Sequence, residues 1–177
     1  MPSRGRIGIF NRSHYEEVLV TRVHPEVLDA QHLPDQRRGS GFWKHRMKDI
    51  RQFERYLDRQ GVVVLKFFLH ISKEEQRRRF LARLEDADKN WKFSASDLAE
   101  REHWDRYQEA YEEAITETAT PEAPWFVVPG DRKWFARLVV VEAMIQALER
   151  LDLTVPEVKP EEKMALAKAR EALEAES

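Results

Sequence analysis

The run Val62-Val-Val-Leu-Lys-Phe-Phe-Leu69 constrains the fold more than any other stretch of these 177 residues. Near-continuous apolar character, rich in valine, suits a strand covered on both faces, as in a parallel sheet. Polar residues follow at once: His70, then Ser72, whose spacing to Glu75 is that of a helix capping box. Two other segments repeat the pattern. Arg6–Phe10 reads as a short strand that ends at Asn11-Arg12, with Ser13 and Glu16 at capping-box spacing. Trp125–Val128 reads as a third strand, with Asp131 as candidate cap of a core helix. In that helix Trp134, Leu138, Val141, Ile145 and Leu148 recur at spacings of four and three.

Helices fill the intervals. Met47, Ile50, Phe53 and Leu57 form one apolar stripe on a helix from about Lys44, with Gly61 placed to terminate it. Trp104, Tyr107, Tyr111, Ala114 and Ile115 keep helical spacing and read as core rather than as a stacking platform. Residues 25–43, with two Pro and Gly39-Ser-Gly41, read as a loop. Strands alternating with helices predict an α/β fold with a parallel sheet. One domain is expected over residues 1–152. A linker with Pro156 and Pro160 follows, then a peripheral tail helix from Lys163 to Glu176, together residues 153–177.

Composition removes several function classes. Thirty basic and thirty-two acidic residues leave a net charge of −2, which argues against a protein that coats polyanions or nucleic acid over its whole surface. No cysteine is present, so disulfides, thiol nucleophiles and cysteine metal sites are excluded. The six histidines show no metal-ligand spacing. The longest apolar run, interrupted by Lys66, falls far short of the ~20 residues that span a bilayer. No apolar leader precedes Gly8, and a soluble cytoplasmic protein without membrane partners is expected.

In open α/β sheets ligands bind beyond the carboxyl ends of the strands. The first such end offers Asn11, Arg12 and Glu16, which also suit an ordinary turn into a capped helix. The second leads into a helix with Arg77, Arg78, Arg79 and Arg83, then a loop with Lys89 and Lys92 interleaved with Trp91 and Phe93. Guanidinium forks and lysine point charges are what phosphate oxygens need. The same residues also suit a solvated helix face, with Glu75 pairing Arg79. Lys66 is either a stem that snorkels to the sheet end or a cation aimed into a ligand cleft.

Taken together, several segments resemble the polyphosphate kinase 2 family. Gly8-Ile-Phe-Asn-Arg-Ser-His-Tyr-Glu-Glu-Val-Leu-Val20, continued by Arg22-Val-His-Pro25, is similar to the family's Walker B segment and the helix after it. Ile50-x-x-Phe53-Glu54 and Leu65-Lys-Phe-Phe-Leu-His-Ile-Ser-Lys-Glu-Glu-Gln76 resemble the next helix and strand. Arg79-Phe80-x-x-Arg83 and Asn90-Trp-Lys-Phe-Ser94 resemble the lid, about residues 72–118. Thr118-x-Thr120 and Ala123-Pro-Trp125 fit the final strand region.

The resemblance implies a three-layer α/β/α, P-loop kinase-like fold. It also implies Mg²⁺-assisted phosphoryl transfer between inorganic polyphosphate and nucleoside mono- or diphosphates, ADP/ATP or AMP. By position, Asn11 and Arg12 would be the Walker B pair, where many members carry Asp and others share Asn. Arg83 would be the catalytic lid arginine. Arg79, Lys89, Lys92, Glu16 and Lys66 would be substrate-binding, Glu16 with the metal or nucleotide, Lys66 as a shared strand lysine of unassigned role. The family's tendency to dimers and tetramers implies a homo-oligomer.

One departure is large. The family's Walker A loop lies upstream of the matched region, and no G-x-x-x-x-G-K-[ST] occurs in these 177 residues. In the order 2-3-1-4-5 the fold would be incomplete, with strands corresponding to 3, 4 and 5 and an empty slot between residues 7–10 and 62–69. The isolated chain is therefore expected to be inactive and to need a complementing Walker A segment. A non-catalytic remnant that binds polyphosphate or a partner is the alternative. A nucleic-acid binder through Arg77–Lys92 is the weakest reading.

Overall fold

The computed structural model describes residues 1–33, 39, 41–155 and 157–176. Two compact units are present, residues 1–142 and 143–177. The first contains α1 (Glu16–Val23), α2 (Pro25–Asp29), α3 (Phe42–Arg59), β1 (Lys66–His70), α4 (Lys73–Glu85), a 3₁₀ turn (Asn90–Lys92), α5 (Ala95–Glu102), α6 (Trp104–Thr118) and β2 (Trp125–Pro129). Helix α7 (Lys133–Arg150) runs from the first unit into the second, which also holds α8 (Pro160–Glu174). Among the described residues no helix is long and apolar enough to cross a membrane.

Many helix boundaries follow from local chemistry. Ser72 caps α4, its side chain accepting from the Glu75 amide at 3.0 Å. Ser94 and Asp97 form a capping box at α5. Helix α3 closes in a Schellman motif: Gly61 takes φ +77°, its amide bonds Asp58 O, and the Val62 amide bonds Leu57 O. Two expectations fail. Ser13 does not cap α1: the N-cap position is Tyr15, and Ser13 Oγ accepts from the Tyr15 amide. The expected loop 25–43, part of which lies outside the described residues, includes helix α2, for which Pro25 supplies the first turn.

The sheet differs most from expectation. Among the described residues only β1 and β2 pair, in parallel, with Lys66 opposite Trp125 and His70 opposite Pro129. Arg6–Phe10 forms no strand among the described residues, and Ile9 is 83% exposed. Its sequence suits a strand, but strand geometry needs a neighbour to receive its N–H and C=O groups. For the same reason the Val62–Leu69 run is not buried on both faces: residues 62–65 carry no ladder, and Val63 and Leu69 are exposed. Of the three expected strands two form among the described residues, and the chain is a mostly helical α/β protein with a small parallel sheet.

The core lies where α1, α3 and α6 meet. Val18, Leu19, Met47, Ile50, Ala110 and Ala114 are buried together, with Tyr15 among them. Small Ala110 and Ala114 let α6 approach closely. Rings join this core to the sheet, Tyr15 edge-on to Trp125 and Phe68 stacked on Tyr111 at 4.2 Å. The α3 stripe is rotated slightly from expectation: Phe53 is exposed, while its neighbour Glu54 is buried. The expected core stripe of α7 is exposed as well, from 40% at Leu148 to 63% at Trp134. Its spacing is that of an apolar helix face. What covers such a face is not encoded in spacing.

Candidate functional site

The turn Asn11–His14 leads into α1, and its geometry is unusual. Arg12 takes φ +63°, a left-handed conformation that costs a non-glycine residue about 1–3 kcal/mol. Its side chain is 80% exposed, and its guanidinium lies 3.9 Å from Glu16 one turn along. Asn11 is exposed beside it. The expected grouping of Asn11, Arg12 and Glu16 at one strand-to-helix corner is thus present, although the strand is not.

Immediately below that turn lies a buried charged network. Lys66 is 6% exposed and Glu54 is 1% exposed. Lys66 Nζ donates to Glu54 Oε2 at 2.7 Å, to Thr118 O at 2.9 Å and to the Tyr15 hydroxyl at 3.0 Å, so all three of its protons are used. The Tyr15 hydroxyl lies 2.9 Å from Glu54 Oε1 and 2.9 Å from Thr118 Oγ1, and Trp125 Nε1 donates to the same Thr118 oxygen. His14 Nε2 sits 3.7 Å from Glu54 Oε1 and links the network to the surface. Burial raises the Glu54 carboxyl, but His14 and Lys66 outweigh it and leave Glu54 below the usual carboxylate value. Burial lowers Lys66, offset by Glu54, and burial raises the Tyr15 phenol.

Lys66 is therefore buried in the core with every donor engaged by Glu54, Thr118 and Tyr15, rather than extended to the sheet end. Its partner was legible in principle. Glu54 falls four residues after Ile50 and three before Leu57, on the buried face of α3. A buried strand lysine requires such a carboxylate.

The basic cluster forms on α4 and the turn after it. Glu75 accepts from both Arg78 and Arg79 at 2.7 Å, and those hydrogen bonds hold its pKa at about 2. Arg79 also donates to Gly130 O at 2.6 Å. Asp131 does not cap α7; its carboxylate accepts from the Ser72 amide at 2.7 Å, and Gly130 N donates to His70 O. These contacts tie the ends of β1 and β2 together. A Cβ at Gly130 would lie 2.6 Å from Ile71, so only glycine allows the approach. Arg79 is thus engaged in holding the two strand ends. Arg83 is different: half-exposed, it lies over the Phe80 ring with its nearest carboxylate, Asp97, at 3.9 Å. Lys89 pairs with Asp86, and Lys92 lies over the exposed Trp91. Among the described residues no hydrogen bond or ion pair joins the Arg12–Glu16 turn to this helix.

A contact that the sequence pattern does not signal links the end of α1 to α5. His24 reaches Glu26 through Nδ1 at 2.8 Å and Glu100 through Nε2 at 3.0 Å, and Tyr107 donates to the same Glu100 oxygen. The bond to Glu100 raises the His24 pKa, opposed by burial and reinforced by Glu26. A raised histidine contributes stability that is complete below pH 6.5 and is lost as pH rises through its folded value. An NMR titration should place the His24 midpoint above 6.5, and Glu100→Gln should lower it. A midpoint at or below 6.5 would show that the carboxylate contacts do not form in solution.

Among the described residues no group of three or more His, Asp or Glu could hold a metal. Mg²⁺, however, commonly takes only one or two carboxylates and fills its octahedron with water and substrate phosphates. Glu16, a single carboxylate at the corner that also carries Asn11, is compatible with that partial set.

Comparison with known proteins gives a consistent result. The family model for polyphosphate kinase 2 matches residues 1–155. An ADP-polyphosphate phosphotransferase of Rhodopseudomonas palustris is 47% identical over 174 residues, which cover 98% of this chain and 60% of that protein. An AMP/ADP-polyphosphate phosphotransferase of Meiothermus ruber is 47% identical over 157 residues, 89% of this chain and 55% of that protein. The crystal structure of polyphosphate kinase 2 from Arthrobacter aurescens matches with a TM-score of 0.84 at 40% identity, over 100% of this chain and 57% of that one. The chain therefore spans little more than half the length of these relatives.

Proposed function

The chain belongs to the polyphosphate kinase 2 family, and from that premise we propose that it carries the Walker B-like and lid half of a polyphosphate:nucleotide phosphotransferase. It would move phosphoryl groups between inorganic polyphosphate and nucleoside mono- or diphosphates, together with a segment that supplies the glycine-rich phosphate loop and completes the P-loop kinase-like fold. Relatives named for ADP and AMP support the substrate class.

The observation that carries this reading is the condition of two arginines. Arg12 and Arg83 each keep an accessible guanidinium whose nearest carboxylate is 3.9 Å away, beyond a tight hydrogen bond. Phosphoryl transfer is mostly positioning and charge neutralisation, and such groups can leave a loose partner for a phosphate oxygen. Arg12 and Asn11 would face the transferring phosphate, and Arg83 would close over it from the lid. Lys89 and Lys92 would follow the polyphosphate chain, with Arg79 acting through the strand-end brace. Glu16 and Asn11 would hold Mg²⁺, whose charge would offset that of the phosphate oxygens.

The test is reconstitution. The 177-residue chain is mixed with a polypeptide carrying the phosphate-loop half of a relative. ATP formation from ADP, or ADP formation from AMP, is followed with polyphosphate and Mg²⁺. Steady turnover is expected in the mixture and not in the chain alone. Turnover by the chain alone would remove the need for a complement. A stable mixed complex that binds polyphosphate without turnover would favour a non-catalytic role.

A further inference from the structure

Lys66, Glu54 and Tyr15 are buried ionisable groups for which the phosphoryl-transfer reading has no task. Their arrangement gives them one. Three elements converge on the Tyr15 hydroxyl, α3 through Glu54, β1 through Lys66 and α6 through Thr118, and Trp125 of β2 donates to the same Thr118 oxygen. Tyr15 is also the residue from which α1 starts, three positions after Arg12. Its amide donates to Ser13 Oγ, and the His14 ring lies 4.9 Å from the Tyr15 ring and 5.7 Å from Phe53. The turn is thus anchored at its far end, whereas residues 6–11 before it are exposed and outside any helix or strand.

A left-handed arginine persists only where its surroundings impose that conformation. We propose that Lys66, Glu54 and Tyr15 are positioning residues for Arg12: the network holds Tyr15, and Tyr15 holds the turn in the conformation that presents the guanidinium. None of the three touches substrate. The consequence for catalysis rests on the reading of Arg12 as a phosphate-handling residue, whereas the conformational claim does not.

The conformational test uses the 177-residue chain without substrate. Tyr15→Phe keeps the ring and removes the hydroxyl. In the wild-type chain the intraresidue HN–Hα NOE and the one-bond Cα–Hα coupling of Arg12 should mark a positive φ. In the variant that signature should be lost, while amide exchange around Met47 and Ile50 in α3 changes less than about twofold. A retained positive φ at Arg12 overturns the proposal. So does exchange in α3 that accelerates as much as that in the first turn of α1, since that is general loosening of the core. Where Tyr15→Phe does not fold, Glu54→Gln is measured in the same way, and the same two results overturn the proposal. In the reconstituted enzyme Tyr15→Phe should lower kcat by up to about 10²-fold with little change in nucleotide KM, as expected for misplacement of a catalytic group. An unchanged kcat overturns the catalytic half of the proposal. An inactive wild-type reconstitution counts against the phosphotransferase reading alone, and the NMR result still decides the positioning claim.

Discussion

Lys66→Met is expected to cost about 3–5 kcal/mol in chemical denaturation, a large part of the stability of a domain this size. The loss comes less from the pair itself than from Glu54, left charged at 1% exposure. Two arms make the cause measurable. In the wild type Glu54 has its pKa below the unfolded value near 4.5, so its contribution is complete above that pH and fades as pH falls through the folded value. In the variant burial is opposed only by the contacts to His14 and Tyr15, so the same carboxyl lies higher than in the wild type, and the deficit should shrink as pH falls and the buried carboxyl takes up its proton. The second arm is Lys66→Met with Glu54→Leu, which removes both charges and should recover much of the loss, because an apolar pair of similar volume often equals a buried ion pair. A single variant with wild-type stability at neutral pH would mean that Glu54 and Lys66 are not buried together.

Arg83→Ala in the reconstituted enzyme should lower kcat by about 10³-fold, the lower end of what a charge-stabilising arginine contributes to phosphoryl transfer. Nucleotide KM should move far less, because the guanidinium is assigned to charge that develops on the transferring group and not to ground-state binding. Lysine at the same position should restore little, since a point charge does not reproduce the planar fork. The folded chain should tolerate the change: Arg83 is half-exposed, stands over Phe80 on its own helix and meets Asp97 only at 3.9 Å. Equal losses in the Arg83→Ala and Arg79→Ala enzymes would argue against this division of labour. Arg79 is bonded to Gly130 O and Glu75, and its removal should shift the denaturation midpoint as well as activity.

Much of the chain is readable because its signals are local. Gly61 ends α3, Ser72 starts α4 and Ser94 with Asp97 starts α5 through hydrogen bonds within a few residues of chain. The parallel relation of the two later strands follows from the helices between them. The Arg12–Glu16 corner and the arginines of α4 are legible as residue types at helical spacing. The departures share one origin. Ser13 Oγ accepts from the Tyr15 amide, the residue before α1, and a carboxylate oxygen of Asp131 accepts from the Ser72 amide, fifty-nine residues away. Lys66 resembles a ligand cation in sequence because its counter-charge lies on a different element.

What these residues determined by themselves is the helices other than α2, two of the strands, the positions of the phosphate-seeking side chains and, through the family's motifs, membership of the polyphosphate kinase 2 family. Tertiary structure alone decided which charges are spent. Arg79 and Lys66 are engaged by carbonyls and carboxylates, several of them far away in sequence, while Arg12 and Arg83 keep accessible guanidiniums. It also decided that Arg6–Phe10 is not a strand and that the apolar stripe of α7 is exposed, since both depend on a neighbouring surface. Capping and helical period act over three or four residues and are written in order along the chain. Partnership between buried charges and between strand edges acts across space, and only the folded chain states who meets whom.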